Sequence, residues 1–122
     1  MAAKVTTAYG SIMIDEEVLA KVAGMAALEC YGVVGMAQTN MKDGFVQLLT
    51  GDSLTKGIKV EAKEESVIMS FHIIVEYGTN IQTIADNLIS NVTYQVKDML
   101  GVNIEKINVF VEGIRTDKQG DA

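Results

Sequence analysis

Apolar and polar residues change their period several times along the chain, and each change marks an element. Tyr9 to Ile14 alternates, with Ile12 and Ile14 on one side, and reads as a short strand. Asp15 follows at an N-cap position, and Glu16 and Glu17 occupy the first turn, where negative charge suits the positive end of a helix. The helix so predicted runs to about Glu29. Val18, Leu19, Val22, Met25 and Ala26 form one apolar stripe along it, while Glu17 and Lys21 make an i,i+4 pair on the other side. Ala20, Ala23, Gly24, Ala26 and Ala27 add a run of small residues suited to close packing. Tyr31-Gly32 closes the helix, and Val33 to Ala37 reads as a brief strand.

Periodicity is weak from Gln38 to Lys56, where one apolar island, Phe45 to Leu49, predicts a short helix. A stretch this long without clear structure is uncommon inside a compact domain. Beyond it the clearest hairpin begins: Gly57 to Lys63 and Ser66 to Tyr77, joined at Glu64-Glu65. The second of these strands sets Val67, Met69, Phe71, Ile73, Val75 and Tyr77 on one continuously apolar side. Gly78 ends the hairpin, and Thr79 or Asn80 caps a second helix running to about Leu100. Its stripe is Ile81, Ile84, Ala85, Leu88, Val92, Val96 and Met99, and Gly101 stands where a C′ glycine should. Asn103 to Gly113 is the last strand, with Ile107, Val109 and Val111 inward.

The order is β-α-β-(irregular, short helix)-β-β-α-β. Two amphipathic helices and one sheet, each with a single strong apolar face, predict an α+β two-layer sandwich. Both helices should cover one face of a mainly antiparallel or mixed sheet. Residues 1–8 read as a flexible N-terminus, 9–114 as a single domain and 115–122 as a polar tail.

Strand alternation also assigns the opposite sheet face. Ile68, Ser70, His72, Ile74 and Glu76 should line it, beside Ile104, Lys106, Asn108, Phe110 and Glu112 of the last strand. A solvated face should be polar throughout, yet Ile68, Ile74, Ile104 and Phe110 are not. Contiguous exposed apolar area marks an interaction site, so Ile68, His72, Ile74, Ile104 and Phe110 are the candidate surface. The competing expectation is that Phe45, Leu48 and Leu49 fold over this face and bury it. His72 would make a contact there sensitive to pH.

Composition narrows the partner. The 122 residues carry a net charge of −6, with ten basic side chains among sixteen acidic ones, which is no footprint for nucleic acid or for an anionic membrane surface. Cys30 is the single cysteine, which excludes an internal disulfide and suits a reducing cytoplasm. Neither a leader segment nor a membrane span is expected. Cys30 and His72, the single histidine, belong on opposite sides of the sheet, so no nucleophile–base pair is expected. No metal or cofactor site is expected either, because Asp15-Glu16-Glu17, the densest acidic cluster, reads as a helix start. Gly32-Val33-Val34-Gly35 has the shape of a nucleic-acid-clamping GxxG loop, but two valines and no following helix favour a plain turn. Asn91-Val92-Thr93 is a formal glycosylation sequon inside the second helix and is set aside.

Taken in order, Gly10-Ser-Ile-Met-Ile14 with Val18 and Ala23, Gly32-Val-Val-Gly35, Lys56-Gly-Ile-Lys-Val60, Val75-Glu-Tyr-Gly78 and Ile107-Asn-Val-Phe-Val-Glu-Gly113 resemble the alkaline shock protein family of Gram-positive bacteria. The resemblance covers about residues 9–114. It implies a non-enzymatic cytoplasmic protein tied to cell-envelope stress and homeostasis, placed near the membrane by a membrane-anchored protein partner; the candidate surface on the outer sheet face would serve that docking or self-association. It also implies a link with lipid metabolism, through a small molecule or an enzyme partner. No catalytic residues carry over from it.

Overall fold

The computed structural model describes residues 2–40, 45–49, 55–63 and 66–116, with the backbone alone for 38–40 and 45–49. Its elements are β1 (Ala2–Thr7), β2 (Gly10–Asp15), α1 (Glu16–Leu28), β3 (Val33–Asn40), β4 (Phe45–Leu49), β5 (Ile58–Ala62), β6 (Ser66–Glu76), α2 (Ile81–Leu100) and β7 (Asn103–Arg115). The fold is the expected α+β arrangement, with β3 to β7 in one mixed sheet and β1–β2 as a separate two-stranded sheet.

β6 is the middle of the larger sheet. β7 runs parallel along its whole length, from Ser66↔Asn103 to Glu76↔Arg115. The other edge of β6 is divided between two antiparallel strands. β5 takes the first half (Ala62↔Val67 to Ile58↔Phe71) and β3 the second (Met36↔Ile73 to Val33↔Val75). They meet beside His72, and Gly57 stands at the junction because a Cβ there would lie 2.8 Å from both Met36 Cβ and the Ala37 carbonyl oxygen. β4 continues the sheet beyond β3.

The core forms where the alternation of β6 dictates. Val67, Met69, Phe71, Ile73 and Val75 are all 0% exposed, and Ile84, Leu88, Val92 and Val96 of α2 close over them. Asn80 caps α2 by accepting from Thr83 N–H at 2.9 Å, and Gly101 ends it in the left-handed conformation. On α1 two stripes competed, and the small residues won. Ala20, Ala23, Gly24, Ala26 and Ala27 are buried with Leu19, whereas Val18 and Met25 are 46% and 56% exposed. A face of alanines lets two helices approach closely, and the Asn91 amide bridges them by donating to the Ala26 carbonyl at 2.8 Å.

Several expectations are corrected. Residues 2–7, read as flexible, form β1 and pair in unbroken register with β2, with Ala3 and Ile14 in the core. The island Phe45–Leu49 is a strand beside β3 rather than a helix, because a five-residue apolar run fits either form until a partner strand is present. Its side chains, the link 64–65 and most of the polar tail lie outside the described residues. Tyr77 sits past the end of β6 and is 71% exposed instead of continuing the apolar side.

Candidate interaction surface

In a parallel pair, directly opposed residues share a face, so the register of β6 and β7 fixes which side chains meet. On the face turned away from the helices, Ile68 lies opposite Lys106, Ser70 opposite Asn108, His72 opposite Phe110, Ile74 opposite Gly113 and Glu76 opposite Arg115. Four of the five predicted surface residues, Ile68, His72, Ile74 and Phe110, are therefore on that side. Ile104 is not. It opposes Val67 and packs against the core, because β7 carries an extra residue at Glu105. That bulge turns every residue before it to the other face. A second extra residue, Glu112, falls between Val111 and Gly113.

The centre of the face is an ordered cluster. The His72 and Phe110 rings stack at 4.8 Å between centroids, 11° from parallel. Glu112 holds the imidazole from the bulge, its carboxylate oxygen 2.7 Å from Nδ1. Against an ionised carboxylate, which can only accept, the Nδ1–H tautomer is the one that makes this hydrogen bond. Phe110 is 46% exposed, and Ile68 and Ile74 are half-buried. Gly113 puts no side chain against Ile74, where a Cβ would make ordinary contact with its Cγ1 at 3.7 Å. Ion pairs frame the strip, Arg115 with Glu76 at 2.9 Å at one end and Lys63 with Glu105 at 3.4 Å at the other. Glu112 as the clamp on His72 was missed in the sequence, because plain alternation put it on the right face but not against the ring.

The remaining chemical candidates fall apart in space. Cys30 packs against the core on the helix side, its Sγ 3.8 Å from the Ala26 carbonyl oxygen and 3.9 Å from the Asn91 amide nitrogen. His72 is across the sheet, so the two form no nucleophile–base pair. Burial pushes the Cys30 thiol up from its ordinary value, the Asn91 hydrogen bond offsets part of this, and the Glu29 charge adds to it. The folded chain therefore holds this proton to higher pH than the unfolded chain, and its contribution to stability is lost as pH rises through the folded value. Alkylation of Cys30 in the folded protein is expected to titrate with a midpoint above the free-thiol value of about 8.5. A midpoint at or below that value would contradict the burial. Asp15 and Glu16 are spent structurally, Asp15 capping Glu16 N–H and Glu16 accepting from Ala62 N–H at 3.4 Å. Among the described residues, no group of three or more His, Cys, Asp or Glu converges as a metal site.

Comparison with known proteins gives the fold a context. Residues 4–116 match the model of the alkaline shock protein 23 family, described as having a cell envelope-related function. The uncharacterized protein YloU of Bacillus subtilis (strain 168) is 40% identical over 116 residues, covering 94% of this chain and 97% of that one. A stress response regulator gls24 homolog of Streptococcus pyogenes is 30% identical, and its match spans 93% of this chain but 63% of its own length. Among solved structures, a variant of MamM-CTD superposes with a TM-score of 0.51 over 84% of this chain and all of that one, at 16% identity, a likeness of fold alone.

Proposed function

The chain belongs to the alkaline shock protein 23 family, of cell envelope-related function, and from that membership we propose that it is a non-enzymatic binding module that docks a membrane-anchored protein through the outer face of β6 and β7. The observation that carries this reading is the His72–Phe110–Glu112 cluster. An aromatic ring nearly half exposed, already stacked and held by a hydrogen-bonded neighbour, needs little further ordering when a partner covers it. Ile68 and Ile74 extend it into an apolar strip, and the ion pairs at both ends supply a polar rim.

The partner class follows from what this chain offers a membrane. Among the described residues, no helix is long and apolar enough to cross one. A net charge of −6 opposes direct adsorption to an anionic leaflet. Placement at the envelope then comes through a protein that is itself anchored. The name carried by the gls24 homologs, stress response regulators, supports response to stress as the setting of this docking.

The test is capture from membrane fractions by immobilised wild type, Ile74→Asp and Phe110→Asp. Wild type is expected to retain a membrane protein that both variants lose, while circular dichroism and melting stay unchanged. Capture that survives both substitutions would show that this face is not the docking site.

A further inference from the structure

β7 is an edge strand of thirteen residues, and among the described residues no strand pairs with the side it turns away from β6. An open edge presents a row of backbone N–H and C=O groups ready to pair with another chain. What sets β7 apart is the spacing of its helix-side residues. The two bulges place Ile104, Ile107, Val109, Val111 and Ile114 on that side, opposite Val67, Met69, Phe71, Ile73 and Val75. The intervals read three, two, two, three, and the set is its own mirror image about Val109.

We propose that β7 pairs antiparallel with β7 of a second copy of this chain, with Val109 on a two-fold axis, joining the two sheets into one. In that register Ile107 meets Val111 of the second copy, and Ile104 meets its Ile114, so every helix-side position faces an apolar residue. Lys106 lies across from Glu112, Asn108 from Phe110, and Arg115 from Asn103, and no like charges oppose. Neighbouring registers fail this test. One slip sets Glu105 against Val111 and Glu112 against Ile104; the opposite slip sets Lys106 against Ile114. A two-fold interface requires this self-complementarity, because each residue i that meets j must also accept j meeting i. The pairing also accounts for Val111 and Ile114, which are 37% and 50% exposed although they face the helix side. Bulges usually discourage edge pairing, but here they lie outside the regular stretch from Lys106 to Val111, so the centre of the contact is uninterrupted.

This dimer goes beyond the docking surface: it gives Phe110 and Glu112 cross-strand neighbours but pairs backbone edges and not outer faces, so the two can fail separately. Light scattering is expected to give the wild type about twice the 13.2 kDa of one chain. Ile114→Lys, at an already exposed position, is expected to give a folded monomer with an unchanged circular dichroism spectrum, and it should still capture the membrane partner. Ile74→Asp should do the reverse, remaining a dimer while losing capture. In a Cys30→Ala background, Val109→Cys is expected to form an intermolecular disulfide on mild oxidation, since opposed antiparallel residues have Cα atoms about 4.5–5.5 Å apart. Lys106→Cys should not, because the two sites would be roughly 20 Å apart along the strands. A monomeric wild type would overturn the proposal. So would a dimer that survives Ile114→Lys, or one that Val109→Cys leaves uncross-linked.

Discussion

Phe71→Ala is expected to lower the stability of the fold by about 3–5 kcal/mol, the usual cost of removing a fully buried phenylalanine. Phe71 is 0% exposed at the middle of β6, with Ile58 opposite it on one side and Val109 on the other. Three strands and the helix layer converge on its ring, and no single neighbour can collapse into the space without breaking register. A domain of this size is stable by only about 5–15 kcal/mol, so the variant should melt roughly 10–20 °C lower. Phe110→Ala is the matched control. The same side chain, on the opposite face and nearly half exposed, should cost less than about 1 kcal/mol. Comparable losses from the two variants, measured by thermal or urea unfolding, would show that the assignment of faces is wrong.

Gly32→Ala is expected to have the second largest effect, about 2–4 kcal/mol, from two causes that can be separated. Gly32 has φ +91°, a conformation that an L side chain resists at a cost of about 1–2 kcal/mol. A Cβ there would also lie 2.5 Å from Ile84 Cδ1 and 2.8 Å from Cγ1, pressing the first buried turn of α2 outward. Gly78 has the same φ of +91° and nothing within 4 Å of its would-be Cβ. Gly78→Ala therefore carries the backbone cost without the clash. The difference between the two alanine variants isolates the packing of the α1–β3 turn against α2. If both lose the same stability, Ile84 yields freely and the turn does not set the height of the helix.

The bulges show where strand alternation could be trusted and where it broke. For β6 the alternation is unbroken over eleven residues, and every inward assignment from Val67 to Val75 holds. For β7 the same count placed Ile104 on the wrong side. A signal was present: Ile104 and Ile107 are three apart, a spacing no regular strand can place on one face. Read with that spacing, Glu105 becomes the inserted residue, and its carboxylate, tied to Lys63 and within 3.3 Å of the Ser66 hydroxyl, belongs to the rim. The clamp of Glu112 on His72 depends on the second bulge in the same way.

The amino-acid pattern alone determined the elements whose signal repeats over many residues. These are α2 with its Asn80 cap and Gly101 stop, and the apolar side of β6. It also determined that His72 and Phe110 leave the core together, because each alternates with residues that cannot. Tertiary structure decided which of two α1 stripes was buried, since close approach to α2 favours alanine over valine and methionine at the contact. It made strands of Ala2–Thr7 and Phe45–Leu49, whose own sequences do not distinguish the form and which needed β2 and β3 as partners. It alone set β3 and β5 end to end on one edge of β6 and left the other edge to β7. Periodicity is a property of one segment, whereas pairing and edge exposure are properties of two.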